Sequence, residues 1–429
     1  MPPNIFYTAM QVFKFGGASV QNIDHIKHVA EIVRQYQNEK LLIVISAMGK
    51  TTNALEKVAE AFFVQRKEDV LRLFGEVKKQ HLTVAKYLLV LEFNECLARM
   101  AKLFSAVENL LQTTPTREYN YYYDQIVSVG ELLSTLIVSA YLNEIKIKNS
   151  WLDVREILLT DGRFREANVD WAKTANSVET VMLPVFQEYN MALTQGFIGG
   201  NSNKETTTLG REGSDFSAAV FANLLDAEIL TIWKDVPGVM NADPKIFSEA
   251  VYIPHLNYAE TIEMAYYGAQ IIHPKTIKPL QNKNIPLRVK CFADASLAGT
   301  TINGQKPASL HPIIILKNNQ VLLTLRTADF SFFVGMPIIR LYKAFGELGI
   351  KSNFIQTNAV GVQIVIDDVP EKIDLLAQNI SEFFDLQVTK GLNLLTLRHY
   401  NENSLEKYLQ GKERILFQQN DTTIQVLYK

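Results

Sequence analysis

Leu41-Leu42-Ile43-Val44-Ile45 is an unbroken run of five apolar residues that ends in Ser46-Ala47-Met48-Gly49. A strand with no polar residue on either face must be buried on both. That happens in parallel sheets covered by helices, not in antiparallel sheets with one wet face. A small, glycine-ended loop at the carboxyl end of such a strand is where an open α/β sheet presents backbone to a ligand. Val12–Phe15, Ala192–Ile198 and Glu228–Trp233 read as further strands, alternating with helical patterns through the first 300 residues. The fold class read from this alternation is α/β, a mostly parallel sheet sandwiched by helices.

Two glycine turns stand at strand-to-helix junctions. In VFKFGGASV, Val12 to Val20, the strand ends in Gly16-Gly17 and the chain enters a helix through Ile26, Val29 and Ile32. Lys14 is a charge inside that apolar strand, so it needs a partner: a structural ion pair, or a phosphate cradled by the neighbouring amides. In TTTLGREGSDFSAA, Thr206 to Ala219, glycines let the backbone turn tightly, and the following helix start adds partial positive charge. Arg211 offers a planar fork for carboxylate or phosphate, while Ser214 and Asp215 sit where a helix cap belongs. Gly49-Lys50-Thr51 looks like the end of a P-loop, but position 44 is valine where that motif requires glycine.

Net charge is −2 over 429 residues, which gives no pull toward nucleic acid or an anionic membrane. The only cysteines, Cys96 and Cys291, lack metal spacing, so a reducing cytosol fits. The N-terminal segment carries no signal-peptide pattern, and no uncharged apolar run of membrane-spanning length is visible. A cytoplasmic protein is expected.

Residues 54–115 are helical in pattern and highly charged, as an appended helical lobe would be, and Asp124 to Leu142 reads as one apolar-faced helix containing Glu131. Tyr258 to Gly268 is helical. The chain changes character at the polar, proline-containing linker 303–311. Val321–Arg326, Met336–Leu348, Ile350–Thr357, Val360–Asp367, Glu371–Phe384 and two short strands within Leu386–Leu397 then spell a βαββαβ unit. A weaker unit follows, a helix at Ser404–Leu409 and a hairpin of Arg414–Gln418 and Thr422–Tyr428. The expected organisation is residues 1–303 as one domain, 311–397 as a second, and 398–429 as a partial third that shares strands with 311–320 and 392–398.

KFGGAS, VISAMGKTTN, SVGELLS, TQGFIG, LGREGSD, WKDVPGVMNADPK, YGAQIIHPKT and IPLRV…AGTTI follow one another in the order found in aspartate kinases. The chain therefore resembles that family: an amino-acid kinase fold followed by ferredoxin-like α+β ACT regulatory domains, the second one truncated. The resemblance implies ATP and Mg²⁺, with the metal held through ATP oxygens, and L-aspartate phosphorylated on its side-chain carboxylate for lysine, threonine and methionine synthesis. It implies Lys14 on the transferring phosphoryl group, Gly16 and Gly17 supplying amides, and Asp215 orienting Lys14. Ser46, Thr52, Glu131, Phe197, Arg211 and Ser214 would hold aspartate, Glu131 at its ammonium and Arg211 at its α-carboxylate. Lys234, Asp235, Met240, Lys245 and Gln270 would form the nucleotide side. His273 is expected to be structural, since a carboxylate nucleophile needs no base. A homodimer through the ACT region is expected from the edge at Lys351 to Gln356.

Three departures from the family pattern matter. Glu212 stands where the family has glycine, and Gln270 where it has a lysine, making the site about two charges more negative. At about 4 Å a unit charge is worth roughly 1 kcal/mol in water and about 4 at an effective dielectric of about 20. A catalytically weak regulatory paralogue is the alternative this raises, and another amino-acid kinase is a second. In the ACT region, Asn353 and Asn358-Ala359 replace an aspartate and a Ser-Glu pair, so the carboxylates that would hold a lysine effector are missing.

Overall fold

Alternate residues of the Met10–Phe15 strand face opposite sides of a sheet, and this decides the layering. Phe13 and Phe15 join one buried cluster with Ile26, Val29, Ile43, Ile45, Leu133, Ile137 and Trp233, Phe15 stacking on Trp233 with centroids 5.8 Å apart. Lys14 points to the other face, where helix Gly213–Leu224 lies. The computed structural model describes residues 10–307 and 310–429. Residues 1–9 and two residues of the expected linker, 308 and 309, lie outside the described residues.

Met10–Phe15 pairs in parallel with Lys40–Ile45 on one side and Ile229–Lys234 on the other. The sheet has eight strands, in the order His255–Asn257, Thr300–Asn303, Leu287–Cys291, Ile229–Lys234, Met10–Phe15, Lys40–Ile45, Met191–Gln195, Asn149–Trp151. Every neighbouring pair is parallel except Leu287–Cys291 with Thr300–Asn303. Helix Ile23–Arg34, capped by the Asn22 side chain, covers the face that carries Phe13 and Phe15. Thr51–Phe63, Lys67–Leu88 and Phe93–Leu111 are three helices whose apolar faces join the same cluster.

The single helix expected at 124–142 is two, Tyr119–Val127 and Val129–Glu144, broken at Ser128. Its early start was hidden by the polar-looking tyrosine run. Together Tyr119–Glu144 is long and apolar enough to cross a membrane, but 83% of its most apolar window is buried inside the protein.

The chain divides into two compact units. The first holds the chain up to Val239, Pro254–Ile262 and Ile272–Pro307; the second holds Met240–Ile253, Glu263–Ile271 and the chain beyond 309. The second unit is built on one six-stranded antiparallel sheet, in the order Ser352–Asn358, Gly361–Asp367, Ile313–Thr327, Phe384–Arg398, Thr423–Tyr428, Arg414–Gln419. Two short strands were expected within 386–397; a single strand of 15 residues runs there, with Gly391 at φ +74°. Irregular register between Lys317 and Leu322 on its partner absorbs the mismatch. The first half of Ile313–Thr327 pairs with Leu394–Arg398, and the hairpin of Arg414–Gln419 and Thr423–Tyr428 adds to the other side of that strand in the same sheet.

Candidate active site

Four neighbouring strands, Ile229–Lys234, Met10–Phe15, Lys40–Ile45 and Met191–Gln195, deliver their carboxyl ends side by side. The loops that follow interlock through backbone. Ser46 N–H donates to Phe15 O, Gly49 N–H to Gly17 O, and Gly196 N–H to Ile45 O. A Cβ on Gly17 would lie 2.7 Å from Ala47 O and 2.9 Å from Gly49 O, so only glycine permits this approach.

Lys14 Nζ lies 2.6 Å from Asp215 Oδ1, and Lys234 Nζ lies 3.8 Å from Oδ2 of the same carboxylate. Asp215 is 4% exposed. Burial pushes its carboxyl up, but Lys14 and then Lys234 outweigh that and hold it below the usual carboxylate range. Two cations thus flank one buried anion beside the Gly16-Gly17 turn. That arrangement suits an anion with several oxygens. The ion pair and the phosphate reading of Lys14 are compatible, because Asp215 holds the ammonium in place while Lys234 shares the carboxylate.

Glu131 sits in the first turn of helix Val129–Glu144, 2% exposed. One oxygen accepts a hydrogen bond from Ala47 N–H at 3.2 Å; the other is buried with no hydrogen-bond partner. Burial raises its carboxyl to about 8, with the Ala47 N–H opposing. The helix gets this close because Gly130 has no side chain: a Cβ there would be 3.1 Å from Ala47 Cβ and Thr51 Cγ2. Ser134, one turn on, donates its hydroxyl to Ser46 O at 2.7 Å. This leaves a buried carboxyl group with one unpartnered oxygen and no ion pair among the described residues, which is costly for the fold to keep.

Phe197 has a left-handed backbone, φ +69°. Its N–H donates to Ser217 Oγ at 3.0 Å, and its carbonyl accepts from Leu209 N–H at 2.8 Å. Gly196 lies against Ser214, and Gly213 against the Phe197 ring. Arg211 between them is exposed and makes no ion pair among the described residues. Thr52 is half-buried in the first turn of helix Thr51–Phe63, and Asp235 is exposed just past its strand. Met240, Lys245 and Gln270 belong to the second unit.

Glu212 does not hang free beside the turn: its carboxylate accepts from His273 N–H at 2.8 Å. The imidazole of His273 caps helix Pro274–Lys283 by accepting from Lys275 N–H. Asp124 escaped the sequence reading. It is buried and accepts from Thr208 N–H, Thr208 Oγ1 and Arg165 N–H, fixing the strand that leads into Gly210. Burial raises its carboxyl to about 6, against those three donors. A lone acid on an otherwise apolar helix face was the available signal.

A model of the amino acid kinase family matches residues 9–291. Lysine-sensitive aspartokinase 3 of Escherichia coli K12 is 34% identical over 399 residues, which cover 90% of this chain and 86% of that one. Aspartokinase 1, chloroplastic, of Arabidopsis thaliana is 30% identical over 406 residues, 90% of this chain and 70% of that one. The crystal structure of E. coli aspartokinase III in complex with aspartate and ADP superposes with a TM-score of 0.81 at 28% identity, covering 98% of this chain and 96% of that chain.

Proposed function

The chain belongs to the amino acid kinase family, among its aspartokinases, and on that footing we propose that it transfers the γ-phosphoryl group of ATP to the side-chain carboxylate of L-aspartate. A carboxylate oxygen attacks the γ-phosphorus, the bond to the β,γ-bridging oxygen breaks, and ADP leaves with that electron pair. The products are 4-phospho-L-aspartate and ADP. With a carboxyl pKa of about 4 the nucleophile is ionised at neutral pH, so no base is required. The obstacle is bringing an anion to a polyanion, which makes positioning and charge neutralisation the protein's task.

The observation that carries this reading is the juxtaposition in adjoining loops of two lysines, Lys14 and Lys234, held about Asp215 beside the Gly16-Gly17 turn, and a buried carboxyl group with one open oxygen at Glu131. Lys14 would neutralise the transferring phosphoryl group, Asp215 would hold Lys14, and the Gly16 and Gly17 amides would face phosphate oxygens. Glu131 would take the aspartate ammonium and Arg211 its α-carboxylate, with Ser46, Thr52, Phe197 and Ser214 lining the pocket. Lys234 and Asp235 would serve the nucleotide. Mg²⁺ would ride chiefly on phosphate oxygens, as this ion usually does with nucleotide substrates. The setting is the cytosol, and assembly is a homodimer through the Ser352–Asn358 edge of the second unit's sheet.

ADP release measured with aspartate, glutamate and N-acetylglutamate in turn tests the acceptor. Aspartate should exceed the others by about 100-fold in kcat/KM. Comparable rates with glutamate would reassign the chain to another amino-acid kinase. Gly17→Ala should cut kcat/KM by about 100-fold, because parting the two loops by even about 1 Å misplaces both substrates; a rate within twofold of the parent would show that the contact is not needed.

Lysine should inhibit weakly or not at all, unlike the E. coli relative named for its sensitivity. Asn353 is already tied to Lys317 Nζ at 2.8 Å, Gln320 Oε1 at 2.7 Å and Asp367 Oδ1 at 2.9 Å. The nearby carboxylate of Asp367 is thus answered by Lys317, which lies 3.1 Å away. Titrating lysine against activity checks this: half-inhibition below about 1 mM, about 4 kcal/mol of binding, would contradict it.

A further inference from the structure

Resting on the assignment of Arg211 and Ser214 to the aspartate pocket, we propose that Glu212 is a positioning residue. Its bond to the start of helix Pro274–Lys283 fixes the Gly210–Ser214 turn and so aims Arg211 and Ser214.

Glu212 holds φ +54° and ψ +27°, a left-handed conformation that glycine adopts freely and other residues adopt at a cost. A glutamate in that place needs something to retain it. Its Oε2 accepts from His273 N–H at 2.8 Å, at the amino end of a helix, where a carboxylate is favoured by both the open amide and the helix dipole. Pro274 follows and has no N–H to compete, and Lys275 N–H is taken by the His273 imidazole. The Glu212 carboxylate therefore answers the one amide of this capping segment that lies ahead of the helix.

Lys275 returns the tie. Its Nζ donates to Leu209 O at 2.7 Å, on the other flank of the same turn. Burial draws the Lys275 ammonium down, while the charges of Glu212 and Glu166 oppose that. The two helices are fastened at their far ends as well: Asn223 Nδ2 donates to Pro279 O and Lys283 Nζ to Asn223 O, both at 2.8 Å. Helix Gly213–Leu224 thus lies parallel to Pro274–Lys283, clamped at each end, with the Arg211 turn bracketed by Leu209 and Glu212.

The test uses the full-length protein with three substitutions. Glu212→Gly keeps the left-handed backbone and removes the bond; Glu212→Gln keeps an acceptor oxygen without the charge; Arg211→Ala reports on the aspartate pocket by itself. Glu212→Gly should raise the aspartate KM about tenfold with the ATP KM within about twofold, and should speed amide hydrogen exchange across residues 209–216. Glu212→Gln should restore the aspartate KM to within about threefold of the parent. Unchanged exchange at 209–216 in Glu212→Gly, or a lower ATP KM in both glutamate variants, would overturn the proposal, the latter marking Glu212 as an electrostatic handicap. If Arg211→Ala leaves the aspartate KM unchanged while exchange in Glu212→Gly rises, Glu212 still fixes the turn and only the role given to Arg211 falls.

Discussion

Lys14→Ala lowers kcat for aspartate phosphorylation by at least about 100-fold while the aspartate KM stays within about threefold. The ammonium sits beside the Gly16-Gly17 turn, held 2.6 Å from Asp215, and among the described residues no other cation pairs this closely with that carboxylate. Removing one fixed charge from a water-poor reacting centre typically costs about 3–4 kcal/mol of barrier. Asp215→Asn should act in the same direction by freeing Lys14 and Lys234 from their shared anchor. It should also cost stability, since breaking a buried pair leaves about 3–5 kcal/mol of uncompensated charge. Initial rates of ADP release with melting curves separate the two effects. Retention of more than a tenth of the parent kcat in Lys14→Ala, a barrier change under about 1.4 kcal/mol, would remove the phosphoryl-neutralising role.

Glu131→Gln raises the aspartate KM by about 100-fold at pH 8 and abolishes its pH dependence. The sign follows from the raised carboxyl, about 8 in the fold against 4.5 ordinarily. Below about 8 the free protein holds Glu131 neutral, and an arriving ammonium must ionise it, so each pH unit downward costs about tenfold in affinity, or 1.36 kcal/mol. In the parent, log(1/KM) for aspartate should climb from pH 6 to about 8 and then level, with one proton released per aspartate bound at neutral pH. The same raised value bears on stability without ligand. The protonated form suits the fold, so this contribution is complete below about 4.5 and is lost as pH rises through about 8. A flat parent profile, or a Glu131→Gln variant with parent-like KM, would take the ammonium away from this residue.

Lys14 was legible because a charge in an apolar strand beside two glycines needs an anion, and Asp215 because it follows a glycine turn into an apolar helix. Their meeting was implied by the family resemblance alone, not by any local pattern. It depends on Lys14 pairing with Ile232 across the sheet and facing the helix that carries Asp215, and on Lys234 ending that neighbouring strand. Strand order is a property of tertiary packing, and local periodicity is silent on it. Glu131 came from family resemblance; what its carboxylate lacks is visible only once Gly130 brings the helix against Ala47. The partner of Glu212 was out of reach of a charge count, since it is a backbone amide 61 residues later in the chain. The same limit explains the second unit. Turn and helix patterns marked its elements and grouped 311–320 with 392–398, but the register of Ile313–Leu316 on Leu395–Arg398 is set by packing that local pattern does not record.

These adjoining loops are proposed to make an acyl phosphate from aspartate. Hydroxylamine trapping reads that product directly: purified protein with MgATP, L-aspartate and hydroxylamine should yield aspartyl hydroxamate in step with ADP, and Lys14→Ala should yield almost none. ADP release without hydroxamate, or hydroxamate formed equally well by Lys14→Ala, would contradict the account.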